Sequence, residues 1–143
     1  AKTAHWRART PRDRGWGRHC EVIIASLGLA NPQWTPMAED APTWMRLGFD
    51  LFDALQHLGP VHEIFPTAAY RQLAAVDDLR IELPLTGFAD GPKDMLDAYL
   101  GAVAVREFVQ GRGACVGDGD HLGGIVLPRP VARHPAQLFD WPG

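Results

Sequence analysis

Val61-His62-Glu63-Ile64-Phe65-Pro66 decides the fold. Apolar residues at 61, 64 and 65 closed by a proline describe a short buried strand, and a helical pattern lies on either side of it. Upstream, Asp40 is placed to cap a helix through Leu58, on which Trp44, Leu47, Leu51, Phe52, Leu55 and Leu58 trace one apolar stripe. Gly59 and Pro60 stop it. Downstream, Ala68, Ala69, Leu73 and Val76 give a second helix over 67–76 a packing face. A third opens at Pro92, where a missing N–H costs nothing, and runs to Gln110 before Gly111. Helices alternating with strand predict an α/β chain in which three main helices pack on a small mixed sheet.

The remaining segments are shorter. Residues 19–29 read as a short helix ending at Gly28, although Val22-Ile23-Ile24 would also suit a strand. The stretch 81–91, punctuated by Pro84, Gly87 and Gly91, is irregular. Ala114-Cys115-Val116-Gly117 and Gly124-Ile125-Val126-Leu127 flank Asp118-Gly119-Asp120-His121, so a hairpin is expected there. The organisation that follows is a basic arm over 1–18, a single domain over 19–128 and an extended proline-rich tail over 129–143.

Composition narrows the setting. A chain of 143 residues that is 46% hydrophobic is long enough for one core and short for two. Two cysteines without paired spacing, no apolar run of about 18 residues and no signal-peptide pattern point to a cytoplasmic chain that does not enter a membrane. The net charge of -3 conceals an asymmetry. Residues 1–18 hold Lys2 and five arginines against Asp13 alone, a surplus of +5 that leaves -8 on the rest. With Trp6 and Trp16 between them, Arg7, Arg9, Arg12 and Arg14 form a nucleic-acid-binding candidate, phosphates to the guanidiniums and bases to the indoles. A terminal stretch that pairs with the acidic body is the plainer alternative.

Three carboxylates suggest a site. Asp94 and Asp97 stand three residues apart at the start of the third helix and share a face. Glu63 lies inside the strand, where burial would raise its pKa unless a cation or Arg71 compensates. Together they form a candidate set for Mg or Mn, with Glu63 and Asp97 catalytic and Asp94 a further ligand. Against this, a first-turn acid such as Asp94 is also what the helix macrodipole favours, and Glu63 would serve equally in an ion pair at a strand end. Asp118-Gly119-Asp120 lacks the glutamate a calcium loop needs and reads as a turn. His19, Cys20, Cys115 and His121 lack zinc-ligand spacing, and Ser26, the only serine, has no elbow glycines.

Glu63-Ile64-Phe65-Pro66, Ala68 to Leu73, Asp94 and Asp97-Ala98, Gly117-Asp118 and Gly123 to Pro128 follow one another in an order that resembles an uncharacterised bacterial family of predicted nucleases with a ribonuclease H-like fold. Arg18, Cys20-Glu21 and residues 44–55 fit its middle region, so the resemblance covers about residues 18–128. It implies a metal-dependent phosphodiester hydrolase in which Asp97 is the last-helix carboxylate, with Gly101 one turn on leaving space for an ion or a phosphate. The family also begins with a strand hairpin bearing a metal-binding aspartate, and nothing before Arg18 is similar to it. The chain is therefore expected to be a ribonuclease H-like fragment with its N-terminal strands missing and its catalytic site incomplete. The alternative is a non-catalytic binding or assembly module. A sheet without its first strands would leave an edge and apolar helix faces uncovered, so a homodimer is expected through residues 44–58 or 61–65.

Overall fold

A computed structural model describes residues 6–13, 17–74 and 92–131. Within them lie four helices and three strands: α1 (His19–Ser26), α2 (Thr43–Leu55), β1 (Glu63–Ile64), α3 (Pro66–Ala74), α4 (Pro92–Val109), β2 (Ala114–Gly117) and β3 (Gly124–Leu127). The α/β reading holds, and the sheet is small and mixed in the order β1-β3-β2. Central β3 pairs in parallel with β1 and antiparallel with β2. The hairpin falls where the turn residues place it. Its loop needs the left-handed region at Asp118 (φ 70°) and His121 (φ 59°), residue types that tolerate it.

Strand register sorts the core into two layers. Val116, Ile125 and Leu127 share one face with Cys20, Ile23 and Ile24 of α1. Val126 and Ile64 point the other way, onto Leu100, Val103 and Ala104 of α4 and Ala69 and Leu73 of α3. Period-two alternation along β3 is what lets four residues serve both layers. Glu63 pairs with Ile125 in the register, so its side chain belongs to the α1 face, whereas α4 packs on the opposite face.

Helix α2 departs from expectation. It starts at Thr43 after Pro42 rather than at an Asp40 cap and ends at Leu55. The stripe expected in the core is on the surface: Trp44, Leu47, Leu51, Leu55 and Leu58 are each exposed, Leu58 by 73%. The edge turned inward is instead Met45, Gly48, Phe49 and Phe52, about a quarter turn round the helix. There Trp6 lies edge-on to Phe49 (4.8 Å) and Phe52 (6.0 Å). Gly48 permits this, since a Cβ there would collide with the Trp6 ring. The apolar arc of α2 is wide enough for two faces, and the body uses only one.

The first described residues are folded onto the body rather than extended from it. Arg9 is buried and forms a parallel bridge with Met37, and Arg7 makes a bidentate pair with Asp13 (2.9 and 3.0 Å). Val76, Trp16, residues 81–91 and the tail beyond 131 lie outside the described residues. Among the described residues no helix is long and apolar enough to cross a membrane.

Candidate functional site

At the head of α1 the chain assembles a buried ionic network. Glu21 sits three residues after Arg18 and accepts its backbone N–H at 2.9 Å, a helix-capping bond that turns the carboxylate toward the helix start. The same carboxylate accepts the Arg18 Nε–H (2.9 Å) and the backbone N–H and hydroxyl of Thr35. Arg18 Nη1 and Nη2 then donate to Glu63 Oε2 and Oε1, each at 2.6 Å, in the fork-to-carboxylate geometry that makes arginine pairs strong. The Arg18 side chain is 2% exposed and that of Glu63 14%. Burial alone would lower the Arg18 pKa, but its bonds to Glu63 more than offset this and hold the guanidinium charged. Burial pushes the Glu63 carboxyl up, against the pull of Arg18.

This network floors a cavity of about 400 Å³ walled by Trp6, Trp44, Phe52 and Phe65, with His62 and Gln33 among its polar edges. Such a volume, apolar walls and a few convergent polar groups are the usual make-up of a small-molecule site. Trp6 is fixed by its indole N–H, which donates to Thr35 Oγ1 at 3.0 Å, and the Arg18 guanidinium lies 5.6 Å above its ring. A smaller hollow of about 50 Å³ shares Trp6, Phe52, His62 and Glu63 with it and also borders Phe108 and Cys115.

Of the residues expected to form a metal site, the fold does not bring Glu63 to Asp97. Glu63 faces α1 and is held by Arg18, whereas Asp97 is on α4 across the sheet, 3.5 Å from Lys93. Asp94 is exposed in the first turn of α4, the place the macrodipole favours. The space expected at Gly101 is occupied, because a Cβ there would meet Ile64 at 3.1 Å; this glycine lets strand and helix approach. Arg71 does not compensate Glu63 but donates to the Gly28 carbonyl. In the basic arm, Arg7 and Arg9 bond within the chain, Arg12 is exposed, and Arg14 lies outside the described residues. The hairpin loop also supports α1, because Asp120 accepts the His19 N–H at 2.7 Å and so caps that helix from a distance.

Sequence reading missed Arg18 as the partner of Glu63, and with it Thr35, Trp6 and the pocket. Only Glu21 gave a signal, three residues after Arg18 at a helix start. A pairing over 45 positions leaves no local pattern. No protein family, curated protein or solved structure matches the chain.

Proposed function

We propose that this chain is part of a ribonuclease H-like domain that works as a binding module, its ligand entering the cavity between α2 and β1. The observation that carries this is the bidentate Arg18–Glu63 pair at the cavity floor. It ties both oxygens of the carboxylate that a nuclease site would need to a buried guanidinium and makes it a fixed acceptor in an aromatic-walled cavity. The ribonuclease H-like part of the reading is supported by the order of its motifs and by a mixed sheet with helices on both faces.

Two measurements test it. Soaking or NMR screening with small aromatic fragments should perturb Trp6, Trp44 and Phe52. Calorimetric titration with MnCl2 should show no stoichiometric site; a site abolished by both Glu63→Gln and Asp97→Asn would replace the binding-module reading with the metal-dependent nuclease.

A further inference from the structure

We infer that the cavity between α2 and β1 selects a small organic cation, an ammonium bearing alkyl or aryl groups; the inference rests on reading that cavity as a ligand site. Among its lining residues the titratable groups are Arg18, Glu21, His62 and Glu63. The one guanidinium is already engaged by both carboxylates, so an anion entering the cavity would meet two acidic groups and no unpaired arginine among the lining residues.

Acceptor capacity points to the same chemistry. The Glu21 oxygens receive the Arg18 backbone and Nε donors and both donors of Thr35, so that carboxylate is filled. Each Glu63 oxygen receives one bond from Arg18, which leaves each with a second lone-pair direction. Trp6, Trp44, Phe52 and Phe65 line the same cavity with aromatic rings. An inorganic cation would lose its hydration shell against these walls for little return, and a neutral apolar molecule would leave the open Glu63 acceptors unanswered. A substituted ammonium suits both, since cation–π attraction grows with desolvation. The chain already places one cation over Trp6, that of Arg18 at 5.6 Å.

The test is an NMR titration of the full chain, following the indole N–H signals of Trp6 and Trp44 with benzyltrimethylammonium, benzyl alcohol and benzoate. The cation should shift both signals and bind about tenfold more tightly than benzyl alcohol, a margin within reach of cation–π and charge terms, and benzoate should not bind. Trp44→Ala removes a side chain that is 55% exposed and so spares the core, and it should weaken the cation about fivefold and weaken benzyl alcohol by a smaller factor. Equal binding of cation and alcohol would overturn the charge inference and leave the pocket reading standing. No indole shift with any of the three would overturn both. Cation binding unaltered in Trp44→Ala would place the site elsewhere and overturn the inference.

Discussion

Arg18 ties together the start of α1, β1 and the hairpin loop. Its backbone meets Glu21, its side chain ties α1 to β1 through Glu63, and its Nη1 reaches the Leu122 carbonyl at 3.3 Å. Taking away one partner of a buried pair leaves a charge without compensation. Arg18→Met should therefore cost about 3–5 kcal/mol in urea denaturation, and Arg18→Met with Glu63→Gln should recover part of it. A loss under about 1 kcal/mol would mean that the pair is solvated like a surface bridge. Glu107 offers a second residue-level test. Its side chain, 4% exposed, accepts bonds from Arg112, Arg106 and Arg129, which hold its carboxyl down to about 2. A folded-state pKa below the unfolded one stabilises above the unfolded pKa, and that gain disappears as pH falls through the folded value. The stability advantage of wild type over Glu107→Gln should thus be full at about pH 6 and shrink toward about pH 2. An advantage that does not vary with pH would show that these arginines do not set the titration. The long-range bonds of both residues, Arg18 to Glu63 over 45 positions and Glu107 to Arg129 over 22, leave no local pattern in the sequence.

Helices and strands were legible where a periodic pattern and a breaker agreed. Helix α4 begins at Pro92 and ends before Gly111, which takes φ 75° as a terminating glycine does. The hairpin follows its turn residues equally well. Helix α2 shows the limit: its amphipathic period was readable, but which part of a broad apolar arc meets the body was not. Trp6 decided that by packing on Phe49 and Phe52. Two truncations separate the faces. Leu100→Ala, at a side chain 1% exposed between α4 and the sheet, should cost about 2–5 kcal/mol. Leu55→Ala, at a side chain 41% exposed, should change monomer stability by under about 0.5 kcal/mol. Comparable losses at both would mean that the α2 stripe is covered.

At the scale of the whole molecule, that stripe is where the expected homodimer would form. Leu47, Leu51, Leu55 and Leu58 stand exposed along one side of α2 and the turn after it, and a row of large apolar side chains favours association. Light scattering should give about twice 15.7 kDa at micromolar concentration, falling to the monomer in Leu51→Lys. A monomer for the unaltered chain would refute association through α2. By itself, the sequence determined the α/β class, the hairpin and the approximate extents of α3 and α4. Those follow from hydrophobic period, proline and glycine, which act over a few residues. Tertiary structure alone decided that β1 runs parallel beside β3, that Glu63 faces α1 while Asp97 lies across the sheet, and that Arg18 rather than a metal ion or Arg71 meets its charge. Strand register and long-range ion pairs are set by which faces the packed chain can bury together, and no spacing along the chain encodes that choice.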